Sequence, residues 1–189
     1  MTPIKLTHEL QREEVLRHLL SLEREDLRLR FGYMPTEEII TKYVQDSWNR
    51  DNNQWFGIYD KSVDGVIATM HISVMSDNTA EIGFTVHKNF RNRGLGTQLF
   101  DRAITWATAH NIDKLFMHCL TENKAVRSIA KKNEVHVITI QGSEARADLV
   151  LKKDMLAPMA DAALDRIALY DMLLINQQKF LANIFRITQ

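Results

Sequence analysis

The most informative segment of this chain reads Arg91-Asn92-Arg93-Gly94-Leu95-Gly96-Thr97. It follows a β-rich run at residues 80–86 and precedes an amphipathic run at residues 97–110, so it joins a predicted strand to a predicted helix. Two glycines at such a turn leave backbone N–H groups uncovered at the positive end of the helix dipole. This glycine segment therefore predicts a cradle for an anion.

Three cations, Lys88, Arg91 and Arg93, flank the two glycines, although the whole chain is neutral. The 24 basic residues balance 24 acidic ones, so bulk attraction to nucleic acid or to an anionic membrane is not expected. Glycine is scarce: the chain has 7, where average usage would give roughly 13. The local cluster is sufficient to seat a pyrophosphate.

Several interpretations compete for the glycine pair. A Rossmann loop would need a third glycine where Leu99 stands, and it would follow a βαβ unit rather than strands that read as antiparallel. A P-loop would need a Gly-Lys-Ser/Thr ending, which this sequence lacks. A bare Gly-x-Gly also suits a helix start that needs glycine only for a tight turn. The surrounding sequence has to decide between them.

The 189 residues, 45% of them apolar, predict one α/β domain over residues 1–154. Its N-terminal helices fall within residues 7–48, at 7–22, capped by Thr7 with Leu10 on the buried face, and at 36–48. The core follows at residues 54–151. It comprises an antiparallel meander at 55–59, 65–74 and 80–86, helices at 97–110 and 124–133, and strands at 114–120, 135–140 and 145–151.

The C-terminal segment, residues 155–189, predicts a helical extension. After Pro158 it contains no glycine or proline. Its apolar residues are separated by three, four or seven positions, the spacing of one helix face: Leu164, Ile167, Leu174, Leu181 and Phe185. Leu169, Leu173, Phe180 and Ile184 widen this stripe. We expect it to pack on the domain or on a second subunit, which would make a homodimer.

Other features narrow the class of protein. Cys119 is the single cysteine, which excludes an intramolecular disulfide and fits a reducing compartment. The N-terminal residues 1–5 lack the features of a secretory signal, and no apolar run approaches the ~20 residues of a membrane span. The seven histidines never recur at His-x-x-x-His spacing. We expect a cytoplasmic protein without a metal site.

With its neighbours, the glycine segment resembles the Gln/Arg-x-x-Gly-x-Gly/Ala pyrophosphate loop of the GNAT superfamily of acyl-CoA-dependent N-acetyltransferases. It stands, as in that family, between the strand Ala80-Glu81-Ile82-Gly83-Phe84-Thr85-Val86-His87 and an amphipathic helix. Asn123-Lys124-Ala125-Val126-Arg127-Ser128-Ile129-Ala130 resembles the family's second cofactor segment, in which an asparagine opens a helix. The resemblance covers residues 55–151. It implies an α/β fold with a mixed, mostly antiparallel central sheet flanked by helices.

The resemblance also implies acetyl-CoA as the co-substrate. Backbone N–H groups of residues 93–97 would hold the pyrophosphate, and the Val86 N–H would polarise the thioester carbonyl. Residues 84–86 would pair with the pantetheine like an added strand, and Asn123 would touch it or hold an ordered water. The implied cofactor-binding residues are Phe84, Thr85, Val86, Arg91, Asn92, Arg93, Gly94, Leu95, Gly96, Thr97 and Asn123.

An amine nucleophile with a pKa near 10 needs a proton acceptor at neutral pH. Glu81 is the first candidate, because several family members place a base at this position and alternation puts it on one face with Gly83 and Thr85. It is equally readable as an ordinary polar residue of a half-solvated sheet. His118 is the second candidate, on a strand expected to splay from residues 84–86, with a core histidine as the alternative. His87 reads as a surface residue.

The family's usual acid, a tyrosine, is replaced by Ala130, and Glu134 stands where the family often has a glycine. The general acid is therefore unassigned, with Cys119 and Tyr170 as poor candidates. The charged run at residues 23–30 reads as a solvated helix face. The resemblance implies an alternative, because this region borders the acceptor pocket in the family fold and its carboxylates would then select a cationic amine.

The implied function is transfer of an acetyl group from acetyl-CoA to a primary amine, on a small molecule or a peptide, by direct attack. The alternative is a non-catalytic acyl-CoA-binding module with an interaction or dimerisation helix.

Overall fold

The computed structural model describes residues 1–48, 50–75, 78–133 and 135–187. The strands are β1 (Ile4–Leu6), β2 (Asn53–Tyr59), β3 (Val66–Val74), β4 (Thr79–Val86), β5 (Lys114–Leu120), β6 (His136–Gln141) and β7 (Glu144–Val150). The helices are α1 (Glu9–Leu20), α2 (Arg24–Phe31), α3 (Glu37–Trp48), α4 (Leu95–Ala109), α5 (Lys124–Lys132) and α6 (Ala157–Ile187).

The strands form one sheet in the order β1-β2-β3-β4-β5-β7-β6. Every neighbouring pair is antiparallel except β4 and β5, which run parallel. The predicted mixed, mostly antiparallel sheet flanked by helices is therefore confirmed. The parallel pair is short: its register runs from Thr79 opposite Lys114 to Glu81 opposite Phe116 and ends there. Beyond that point the two strands diverge and open a wedge in the middle of the sheet.

Alternation along β4 separates two layers of helices. One face belongs to the core beneath α4 and α5, and its β4 residues are Ala80, Ile82, Phe84 and Val86. The opposite face carries Glu81, Gly83 and Thr85 toward the N-terminal helices, where the Thr85 hydroxyl lies 2.9 Å from the buried ring of His18 on α1. The predicted sharing of one face by Glu81, Gly83 and Thr85 agrees with these contacts.

The N-terminal helices differ from prediction in detail. Strand β1, which the sequence did not reveal, pairs with β2 at the sheet edge. His8 rather than Thr7 caps α1, because its ring accepts the Leu10 N–H while Gln11 reaches back to the cap backbone. Leu10 is exposed, since the buried face of α1 consists of Val15, His18 and Leu19.

Helix α4 begins at Leu95, earlier than the predicted start at Thr97. Gly94 has a φ of +76° and turns the chain into the helix from a left-handed conformation. Gly96 lies within the first turn for a different reason. A Cβ there would stand 3.2 Å from Ile129 of α5 and 3.5 Å from Phe84 of β4. The second glycine thus permits close packing rather than a turn.

Helix α6 packs through a different face from the predicted one. Arg102 of α4, 1% exposed, pairs with Asp161 and Asp165 of α6, and Lys5 of β1 reaches the same two carboxylates at 2.9 and 2.7 Å. These ion pairs fix the rotation of the helix about its axis. The inward apolar residues are Ala168, Met172 and Ile175.

Among the described side chains, five residues of the predicted wide stripe are consequently exposed: Ile167, Leu169, Leu173, Leu174 and Phe180. The side chains of Leu181, Ile184 and Phe185 lie outside the described residues. The helix rests on its own domain, and a second subunit stays a prediction. Of the helices in the described ranges, none has the length and apolarity needed to cross a membrane.

Candidate active site

Two adjoining cavities open where β4 and β5 diverge. The loop cavity, of about 690 Å³, lies between the glycine segment, the start of α5 and α2. The wedge cavity, of about 540 Å³, lies on the other side, and its lining includes Tyr43, His71, Glu81, Cys119 and Glu144. Three residues line both cavities: Arg30, Gly83 and His118. A ligand in one cavity can therefore meet a ligand in the other at this junction.

The loop cavity contains the uncapped start of α4. The first helical hydrogen bond in α4 runs from the Gln98 N–H to the Gly94 carbonyl, so the N–H groups of residues 95–97 precede it and have no partner within the helix. No side chain caps this end. Asn92 and Gly94 both adopt positive φ, at 61° and 76°, and bend the segment around the helix start. The arrangement presents N–H donors and the positive helix end to an anion.

The gap beside β4 presents two further backbone donors. The His87 N–H donates to the Ile67 carbonyl of β3 at 2.9 Å. Because successive N–H groups of a strand point to opposite sides, those of Phe84 and Val86 point away from β3, into the wedge. The Arg91 guanidinium donates to the Val86 carbonyl at 3.3 Å, which agrees with this direction.

All but one of the predicted cofactor-binding residues line the loop cavity: Phe84, Thr85, Val86, Arg91, Asn92, Gly94, Leu95, Gly96, Thr97 and Asn123. Arg93 does not. Its guanidinium stands 4.9 Å from the Phe90 ring centre and donates to the Asn89 carbonyl. The Asn123 side chain caps α5 by accepting the Val126 N–H at 3.1 Å, and it reaches the Leu29 carbonyl of α2. The binding roles of these residues stay predictions.

The carboxylates of α2 and its cap face the glycine segment. Lys88 pairs with Glu23 at 2.6 Å, and Arg91 pairs with Asp26. The hydrogen bond from Lys88 and its charge lower the pKa of Glu23. These carboxylates do not line the wedge cavity, and Asp26 lines the loop cavity instead. Their selection of a cationic amine stays a prediction. An anion bound at the glycine segment has to compete with them.

The two candidate bases lie side by side in the wedge cavity. Glu81 Oε1 and His118 Nδ1 are 3.6 Å apart, with side chains 37% and 56% exposed. Such exposure rules out the alternative of a core histidine for His118. Both are within reach of solvent and of the junction, since His118 also lines the loop cavity. Which of the two accepts a proton stays a prediction.

Sequence reasoning missed a buried polar chain in the wall of the wedge cavity. Arg30 of α2 donates to the Tyr43 hydroxyl at 2.7 Å, which lies 2.7 Å from His71 Nδ1. His71 Nε2 lies 2.9 Å from Asn53 Oδ1. Gly83 was the sequence feature that could have indicated this chain, because a glycine inside a strand often marks the close approach of another group. A Cβ at Gly83 would stand 2.2 Å from the Arg30 guanidinium carbon.

The two buried histidines near the site make stability sensitive to acid. Burial and the nearby charge of Arg30 lower the pKa of His71 to about 3, and burial, with a smaller effect of His87, lowers the pKa of His18 to about 4. The unfolded chain therefore binds more protons than the folded one below pH about 6.5. As the pH drops from 6.5 to 5, each histidine should lower the free energy of unfolding with a slope that steepens from about 0.7 toward about 1.4 kcal/mol per pH unit.

Urea unfolding at pH 7, 6 and 5 measures this slope, in a range where ordinary carboxylates stay ionised. The variants His18→Gln and His71→Gln should each show a shallower decline than the wild type. An unchanged decline in both would contradict the assignment.

The predicted acid candidates separate in space. Cys119 is buried, burial raises the pKa of its thiol, and it lines the wedge cavity. Tyr170 is exposed on α6 and lines neither cavity. Ala130 is buried in the core, and Glu134 lies outside the described residues. His87 caps the turn at Lys88–Phe90. In the part of the chain that is described, no group of three or more potential metal ligands comes together.

Comparisons with known proteins agree with this geometry. A family profile described as "Acetyltransferase (GNAT) family" matches residues 16–133. A search of curated proteins found no match. Similar solved structures include the GNAT domain of S. lividans PAT, 16% identical over 79% of this chain and 89% of that one, with a TM-score of 0.68. Another is spermidine N-acetyltransferase from Vibrio cholerae in complex with CoA and spermine, 13% identical over 80% and 96%, with a TM-score of 0.64. At these identities the structures establish the fold alone.

Proposed function

Because the chain belongs to the GNAT acetyltransferase family, we propose that it transfers an acetyl group from acetyl-CoA to a primary amine. The junction of the two cavities carries this proposal. A cavity that ends at an uncapped helix start meets, at Arg30, Gly83 and His118, a second cavity that holds a carboxylate, Glu81. One cavity suits an acyl donor with a phosphate group, and the other suits an amine.

The residues of the loop cavity fit acetyl-CoA. The N–H groups of residues 95–97 would bind its pyrophosphate, and Arg91 would exchange Asp26 for a phosphate oxygen. The free edge of β4 at Phe84 and Val86 would pair with the amide groups of the pantetheine. The Asn123 side chain already forms hydrogen bonds with α5 and α2. It would therefore shape the cavity rather than bind the cofactor directly.

When bound, acetyl-CoA supplies an acyl carbon activated as a thioester. The amine nitrogen forms a C–N bond with this carbon, the C–S bond breaks, and the products are an amide and the CoA thiol. The Val86 N–H would donate to the carbonyl oxygen as negative charge develops there. Glu81, directly or through one water, accepts the proton that the amine loses. A thiol with a pKa of about 8.5 leaves as a thiolate without a strong acid, so a catalytic tyrosine in place of Ala130 is dispensable.

Release of CoA thiol from acetyl-CoA tests the proposal. The purified chain is assayed against polyamines, aminoglycosides, amino acids and peptide N-termini, with mass spectrometry to identify the acetylated product. At least one amine class should be acetylated at a rate that depends on protein concentration. CoA binding without turnover of any amine would instead favour a non-catalytic acyl-CoA-binding module, the alternative suggested by Ala130.

A further inference from the structure

Arg30 lies in the wall of both cavities and has no carboxylate partner among the described residues. Among the described residues, three cations near α2 and the glycine segment have acidic partners: Arg28 pairs with Glu25 and Glu122, Lys88 with Glu23, and Arg91 with Asp26. Lys124, which lines the loop cavity, forms none of these ion pairs. None of the ion pairs in those residues includes Arg30. Its recorded neighbours are the rings of Phe31 and Tyr43, 5.1 and 5.7 Å away, and the neutral Tyr43 hydroxyl.

The hydrogen-bond chain behind Arg30 runs in one direction and leaves its charge intact. The Asn53 amide nitrogen donates to Asn52, so the Asn53 oxygen accepts from His71 Nε2. His71 Nδ1 then accepts from the Tyr43 hydroxyl, and the Tyr43 oxygen accepts from Arg30. His71 is neutral near pH 7, because its pKa is lowered to about 3. The chain therefore orients the guanidinium without supplying a negative charge.

The guanidinium is also held against the backbone of β4. It covers Gly83 so closely that any side chain at this position would overlap it. An arginine has five N–H donors, and one of them is used by Tyr43. Because Arg30 lines both cavities, a ligand at their junction can reach its remaining donors.

We propose that Arg30 binds a carboxylate of the acceptor, so that the acceptor class is small amino acids, in which an amine and a carboxylate are few bonds apart. This inference rests on the proposed function and narrows its substrate. Glu81 lies two positions before Gly83 on the same face of β4, about 7 Å along the strand. The cavity thus holds a carboxylate for the amine and a guanidinium for the acid group. Its volume of about 540 Å³ is within the range of small-molecule sites.

Matched acceptors test the inference. Each standard L-amino acid is assayed for CoA thiol release beside its α-amide and its decarboxylated amine, at saturating acetyl-CoA. For the best amino acid, kcat/KM should exceed that of both analogues by about 10- to 100-fold, the range for loss of a charge-assisted hydrogen bond. Arg30→Gln should remove this preference, mainly through a higher KM, and Arg30→Lys should restore part of it.

The control variant is Arg24→Gln, which removes the same charge from an exposed position at the start of α2 and outside both cavities. It should keep the preference. CoA affinity, measured by calorimetry, should be the same in wild type and Arg30→Gln. Equal turnover of amino acids and their amides would overturn the inference and leave acetyl transfer standing. Loss of CoA affinity in Arg30→Gln would also overturn it, by placing Arg30 on the cofactor.

A binding measurement keeps the inference testable without turnover. N-acetyl amino acids, the expected products, are titrated into the CoA-loaded protein beside N-acetyl amino acid amides. Tighter binding of the acids in wild type but not in Arg30→Gln supports carboxylate recognition even if no amine is acetylated, a result that would count against the proposed function alone. Equal binding of acids and amides contradicts carboxylate recognition.

Discussion

Replacing Gly94 by aspartate should abolish measurable CoA binding while leaving the fold intact. Nothing lies within 4 Å of the position that a Cβ would take there, so the side chain has room. Its carboxylate would stand at the N–H groups of residues 95–97 and repel a phosphate. Two unit charges about 4 Å apart repel by about 4 kcal/mol at an effective dielectric constant of about 20. The Kd for CoA, measured by calorimetry, should rise by at least about 100-fold.

Gly142 offers a matched control for Gly94. It also has a positive φ, +56°, with open space around its Cβ position, but it lies in the turn between β6 and β7 and outside both cavities. Gly142→Asp therefore imposes similar backbone strain and the same charge, and it should bind CoA normally. Gly94→Ala separates strain from charge and should weaken binding less than Gly94→Asp. Unchanged CoA affinity in Gly94→Asp would refute the glycine segment as the phosphate site.

Gly96→Asp should abolish CoA binding as well, but for a mixed reason. Its side chain would add charge beside the helix start and would also crowd Ile129. Thermal unfolding of this variant has to accompany the binding measurement. Comparing the two variants then separates the effect of charge, which acts alone at Gly94, from the effect of crowding, which is added at Gly96.

The sequence predicted the part of the fold that local pattern determines. Period-two apolar residues located β2, β3 and β4, and β5 lies at 114–120 as expected. The glycine segment was placed correctly between a strand and a helix because its cue is conformational: the left-handed turn at Gly94 favours a residue without a side chain. The start of α4 was misplaced because a glycine in a first helical turn is disfavoured by propensity, and only the contact of Gly96 with Ile129 explains it.

What the sequence did not predict depends on pairs that are distant along the chain. Apolar periodicity predicted one wide stripe on α6, but Ala168, Met172 and Ile175 face inward instead. Lys5 and Arg102, which pair with the aspartates of α6, fix this orientation. In the same way, the charged run on α2 looked like a solvated face. Its Asp26 turns to Arg91 and its Arg30 to Gly83, so one short helix serves both cavities. Periodicity carries no information about such partners.

Replacing Glu81 by glutamine should lower kcat for acetyl transfer by about 100- to 10,000-fold, the usual contribution of a general base. Glutamine keeps the size and polarity of the side chain but cannot accept a proton. CoA affinity should not change, because Glu81 lines the wedge cavity alone. The loss should shrink between pH 7 and pH 9, since an amine with a pKa near 10 then supplies more of its neutral form without help.

Two further variants decide whether Glu81 acts as the base or only contributes charge. Glu144→Gln removes an exposed carboxylate from the same cavity and should leave kcat within about a factor of two or three, because a distant, exposed charge acts weakly. His118→Gln removes the neighbour 3.6 Å from Glu81 and should cost less than Glu81→Gln if His118 only orients the carboxylate. The reverse order, with His118→Gln showing the larger loss and the recovery at high pH, would assign the proton transfer to His118. Because β4 and β5 part beyond Glu81 and Phe116, and His118 lies two residues past Phe116, both side chains stand at the start of the wedge. Either outcome therefore keeps the reacting amine at the same junction.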